Sequence, residues 1–201
     1  MRQHIFAAAI FAVLLISSAD SARGASLENV ALLWTPTSTL SEMGPLDISG
    51  PLLTAKISME PLVDTRQNPS LVAENREKAD KVRQMTTSSD VAGFVTEHLR
   101  DSLHGAGLTL VDSGADVSIS GEIRKFFVTE MNTYNGEISL LIHVKNSAGK
   151  ELWVGIASGD STRWGRSYSA ANYYETMSDM LLRATYNLLA NPGFRDALGK
   201  H

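Results

Sequence analysis

The chain has 201 residues, 18 basic and 22 acidic side chains, a formal charge of −4 and no cysteine. That length suits one domain, and a 43% hydrophobic content argues against wholesale disorder. The lack of cysteine excludes disulfides, thiolate metal sites, a cysteine nucleophile and a lipid carried on an N-terminal cysteine. The mild acidity gives no electrostatic reason to expect nucleic acid as a partner.

Residues 1–24 read as a secretory signal peptide. Arg2 supplies the positive start, and Ile5 to Ile16 is an unbroken apolar run of 12 residues. A bilayer span needs ~20, so the run reads as a leader rather than an uncleaved anchor. Small residues then fit cuts after Ala19, Ser21 or Gly24, and the last frames Ala22-Arg23-Gly24. The expected mature chain starts near Ala25, with 16 basic and 21 acidic residues and a formal charge of −5. It holds no second apolar run long enough to cross a membrane, which predicts a soluble periplasmic protein without a lipid anchor.

Residues 25–55 read as an extended or looped N-terminal segment, with Pro36, Gly44, Pro45, Gly50 and Pro51 breaking it. Its apolar start, Val30 to Trp34, predicts a short strand. Lys56 to Val63 alternates well enough for another strand, with Pro61 marking an edge or an end. Residues 70–88 are dense in charge and show no apolar stripe, so a solvated loop or long hairpin tip is expected.

Ser89 or Asp90 can cap a helix in which Val91, Phe94, Val95, His98, Leu99 and Leu103 recur at helical spacing. Gly105 and Gly107 end it. Leu108 to Val111 reads as a short strand. Val117, Ile119, Gly121 and Ile123 alternate with polar residues, and Phe126 and Phe127 continue that strand. Ile138, Leu140, Ile142 and Val144 then pair through a turn at Asn146 to Gly149 with Leu152, Val154 and Ile156, as an antiparallel hairpin. A last helix is expected over Ala170 to Ala190, burying Tyr173, Met177, Met180, Leu181, Ala184 and Leu188 and stopping at Asn191-Pro192-Gly193. This order predicts an α+β domain: a small, mainly antiparallel sheet with two amphipathic helices packed on one face, over residues 56–195, followed by a tail at 196–201.

Chemistry is hard to find. Gly159-Asp160-Ser161 looks like the nucleophile block of the GDS-type esterases, but no Asp-x-x-His follows to activate the serine. His98, Asp101 and His104 lie close on one helix, yet the two histidines, six residues apart, diverge around it. Glu122, Glu130 and Glu137 read as the polar face of their strands. No phosphate-binding or dinucleotide motif occurs. No catalytic, metal or cofactor residue is therefore expected.

One cluster stands out. Arg163, Trp164, Arg166, Tyr168 and Tyr174 gather the side chains favoured in binding hot spots around a loop and helix start. The alternative is that Trp164 folds over the sheet edge as a small core of its own.

The run SDVAGFVTEHLRDSLHGAGLTLV (89–111), then ADVSISGEIRKFF (115–127), the hairpin at 136–159, the run SYSAANYYETMSDMLLRATYNLLANPGF (167–194) and the preceding KISMEPLVDTR resemble the YajG-type envelope lipoproteins of Gram-negative bacteria. They are more distantly similar to the auxiliary lipoproteins of ABC-type envelope transport systems. Those families carry a lipidated cysteine after the signal peptide, which this chain lacks. The resemblance implies no activity and no catalytic residues. The expected function is a non-enzymatic periplasmic accessory or adaptor protein that contacts an envelope protein. The alternative is a binder of a small anionic or lipid-like ligand.

Overall fold

The structure, a computed structural model, describes residues 26–78 and 80–200, so the expected signal peptide lies outside the described residues. In chain order the elements are α1 (Leu40–Met43), a 3-10 turn (Gly50–Leu53), β1 (Lys56–Met59), β2 (Val63–Asp64), β3 (Leu71–Asn75), β4 (Arg83–Thr86) and α2 (Val91–Gly105). There follow β5 (Thr109–Leu110), β6 (Val117–Glu130), β7 (Thr133–Asn146), β8 (Glu151–Trp164), α3 (Ala170–Ala190) and α4 (Pro192–Leu198).

One open, mixed sheet of eight strands joins them, and the protein is α+β. Its long strands β6, β7 and β8 form an antiparallel meander, each 14 residues; the β7–β8 hairpin is as expected, but β7 starts at Thr133 and β8 runs to Trp164, well beyond the alternating residues. The other edge of β6 departs from expectation. It takes β1, β2 and β3 in turn, all parallel to it. The segment from 56 to 75 is in effect one broken strand laid along β6. Pro61, which has no N–H to donate, falls in the gap between β1 and β2.

Arg66 holds the second gap. Its side chain is 8% exposed and makes a bidentate pair with Asp64, at 2.9 and 2.7 Å. It also donates to the carbonyls of Pro69, Leu71 and Phe126. The planar fork of an arginine can serve several acceptors at once, which a lysine cannot reproduce.

Three expectations need correction. Residues 70–88 form an antiparallel hairpin, β3 and β4, with an exposed tip as the hairpin expectation has it, but its strands are not solvated: Val72, Ala73 and Met85 enter the core. Its charge is accommodated because Glu74 pairs with Arg76 and accepts from Gln84. Val30 to Trp34 makes only an isolated bridge, Val30 to Thr87. Side chains satisfy the backbone there: Ser89 Oγ accepts from Leu32 N–H and Ser178 Oγ from Thr35 N–H. Finally, Asn191-Pro192-Gly193 ends one helix and starts another. Asn191 Oδ1 accepts from the Phe194 N–H, and Pro192 suits a first helical turn. The expected tail therefore begins inside α4, whose Phe194, Ala197 and Leu198 are buried.

The helix α3 spans the residues predicted for it, and all six of its expected core residues are buried. It sits unusually close to the sheet. A Cβ at Gly159 of β8 would stand 2.1 Å from the Met180 carbonyl oxygen and 2.4 Å from the Ala184 nitrogen. A Cβ at Gly136 of β7 would stand 2.7 Å from Thr176 Cγ2. The prediction follows directly. Gly159→Ala must push helix backbone off strand backbone, and urea denaturation should register a loss of about 3 kcal/mol or more.

Candidate functional site

The registers bring several strand ends together. Asn75 lies beside Glu130, Glu130 beside Tyr134, Thr133 beside Trp164 and Asn75 beside Arg83. The ends of β3, β6 and β8 and the starts of β4 and β7 thus share one tip of the sheet. The sequence-predicted cluster follows directly from β8, at this tip.

Trp164 is 86% exposed, so it does not fold over the sheet edge. Arg166 is exposed two residues on. Met131, in the tight β6–β7 turn at the same tip, is an exposed large apolar side chain as well. Arg163 instead turns toward α3, where it pairs with Glu175 and lies 3.8 Å from Asp179. These two acids stand four residues apart on one helical face. Tyr168 adopts a positive φ of 45°, donates its hydroxyl to the Gln84 carbonyl at 2.7 Å and lies under the Arg83 guanidinium, 4.1 Å from its ring centre. It ties the loop to β4. Tyr174 is half-buried against the core. The cluster is therefore divided: Trp164 and Arg166 face outward, Arg163 and Tyr168 anchor the two sides of the loop, and Tyr174 packs on the core.

Beneath the loop lies a polar group that the sequence reading misplaces. Glu130, expected on a polar strand face, is completely buried. Its carboxyl accepts from the Tyr173 hydroxyl at 2.6 Å and from the Tyr168 N–H at 3.0 Å. Burial, with the hydrogen bond to Glu130 and its negative charge, holds the Tyr173 phenol far above its ordinary pKa. The cause of the misplacement is a register shift between Ile123 and Lys125. Before it the odd-numbered residues Val117, Ile119 and Ile123 are buried; after it the even-numbered Phe126, Val128 and Glu130 are. The signal was present in the sequence as two apolar residues, Ile123 and Phe126, three apart in a strand.

The remaining candidates find structural roles. Gly159 of the Gly-Asp-Ser block is the close contact with α3. His98 stacks on Trp34 with ring centres 4.3 Å apart, and burial pulls its pKa below the ordinary histidine value. Among the described residues no three histidine or carboxylate side chains gather as a metal site. None of the described helices is long and apolar enough to cross a membrane. A groove of about 680 Å³ opens under the N-terminal segment, lined by Trp34, Leu40, Leu46, Ile48 and, from α3, Leu182.

No family model and no curated protein matches the sequence. Solved structures do share its fold. A Xanthomonas campestris protein of family DUF330 superposes with a TM-score of 0.52 at 9% identity, over 71% of this chain and 85% of that one. A PelC dodecamer variant from Paraburkholderia phytofirmans gives 0.42 at 12% identity, over 68% and 90% of the two chains. A minor lipoprotein from Acinetobacter baumannii gives 0.39 at 9%, over 70% and 96%. Only the first of these three likenesses is strong enough to carry an argument, and what it carries is the fold.

The division of the cluster predicts a division of energetics. Trp164→Ala should leave stability within about 0.5 kcal/mol of the parent. Tyr173→Phe strips a buried acceptor of its donor and should cost about 1–3 kcal/mol. Equilibrium unfolding of both variants, monitored by circular dichroism, separates the two roles.

Proposed function

We propose that this protein is a periplasmic accessory protein of the bacterial envelope that acts by docking on another envelope protein and catalyses no reaction. The observation that carries this reading is Trp164: a tryptophan 86% exposed, on a strand end whose neighbours are held by packing. A rigid, exposed aromatic beside an arginine is the usual composition of an interface hot spot. Arg166, Met131 and the half-buried Tyr174 extend the contact, and Arg163 and Tyr168 keep it in place. The signal-peptide reading of residues 1–24 and the resemblance to YajG-type lipoproteins support an envelope setting. The edge-on contact of Phe94 in α2 with Phe126, and the seat of α3 at Gly159, support a reading in which the two long helices share one sheet face.

The groove under the N-terminal segment favours a second reading, a lipid-like ligand. Its size is ordinary for a ligand site and its lining mostly apolar. That ligand would raise the melting temperature by mass action.

A photo-crosslinking residue at Arg166 in living cells tests the first reading. One dominant envelope protein should be captured. Trp164→Ala should lower the yield at least tenfold, in keeping with a hot spot of ~2 kcal/mol. Equal capture with and without Trp164, or no capture by a folded protein, would contradict it.

A further inference from the structure

The mouth of the β3–β4 hairpin forms a second, chemically distinct feature. A cavity of about 320 Å³ there is lined by Asn75, Glu77, Lys78, Lys81 and Arg83. Three of these five residues are cations and one is an acid, in a chain whose formal charge is −4. Asp80 is exposed on the same turn. Among the described residues, Lys78, Lys81 and Arg83 have no carboxylate partner at ion-pair distance.

An independent observation comes from below. Asn75 is 1% exposed, and its Nδ2 has no hydrogen-bond partner. The Glu77 N–H donates to Asn75 Oδ1 at 3.4 Å. That bond sets the amide, because turning it over would point Nδ2 at another donor. An unpaired buried donor is unfavourable and calls for an acceptor. Arg83 is already oriented by its stack on Tyr168, which leaves the in-plane N–H groups available. The carboxyl of Glu130, on the neighbouring strand, is spent on Tyr173 and Tyr168.

We infer that this mouth binds a phosphate-type oxyanion, held by the Asn75 amide and Arg83 from below and by Lys78 and Lys81 from the rim. Several acceptor oxygens on one small anion match four converging donor groups. The oxyanion is either free phosphate or the phosphodiester of a lipid headgroup. The site shares the sheet tip with Trp164 but lies on β3 and β4, across β6 and β7 from β8, and includes neither Trp164 nor Arg166.

The test titrates the purified protein with inorganic phosphate at fixed ionic strength, followed by calorimetry. Saturable binding is expected at millimolar concentration or tighter. Lys78→Gln with Lys81→Gln, both exposed and so expected to fold, should weaken it at least tenfold. Lys145→Gln with Lys150→Gln, at the opposite end of the sheet, should leave it unchanged. Flotation with phosphatidylglycerol vesicles, against phosphatidylcholine vesicles, separates the sources. Flotation that requires Lys78 and Lys81 assigns the lipid headgroup; phosphate binding without flotation assigns the free anion. The proposal is overturned by an absence of both saturable phosphate binding and flotation. Equal weakening by the two double variants overturns it as well.

Discussion

Helix α3 lies against bare backbone, and much else in the molecule is positioned by that contact. Gly159 lets the main chains of α3 and β8 approach directly, and Gly136 leaves room against β7 for the Thr176 and Met180 side chains of the helix. The helix face is cut to match: Thr176, Thr185 and Ala184 are buried and small. The hydroxyls of Thr176, Ser178 and Thr185 return to carbonyls one turn back, so none is buried without a partner. Close packing of this kind is unforgiving, because a dense interior has no spare volume to absorb a methyl group.

The position of α3 has consequences at the strand tip. It sets Glu175 and Asp179 where Arg163 can reach them, and Tyr173 where its hydroxyl meets Glu130. Asp179 also accepts from the N–H and hydroxyl of Thr37, so the N-terminal segment is tied to the same helix. With Arg163 drawn inward on one face of β8, Trp164 points to solvent by strand alternation. The residue proposed for contact and the residue that packs on α3 are therefore adjacent in the strand. On the opposite edge of β6, Arg66 does comparable work, filling a break that would otherwise leave carbonyls of three segments unpaired.

Where the apolar period was long, the sequence disclosed the structure. The β7–β8 hairpin, α2 and the whole of α3 follow from repeats of two or 3.6 residues, each sustained over many positions. Short elements were legible at most as strands, as β1 and β5 were, and not in their pairing. Strands β1, β2 and β3 have two to five residues each, too few to reveal a partner or a direction, so their parallel pairing with β6 came only from the tertiary fold. The charged residues of 70–88 suggested a solvated tip but hid how far the strands enter the core, where Glu74 is held by Arg76. At the candidate site, residue type singled out Arg163, Trp164 and Arg166 alike, but not that Arg163 would be claimed by α3. Glu130 was lost to a one-residue shift that reverses which face a strand buries.

Amide hydrogen exchange under native conditions probes the central claim most directly, because it reads the opening free energy of each segment separately. If the close contact at Gly159 and Gly136 organises the domain, the amides of α3 and of β6, β7 and β8 should share one high opening free energy, equal to that of global unfolding. Exchange of α3 through an opening far less costly than that of the three long strands would contradict the account.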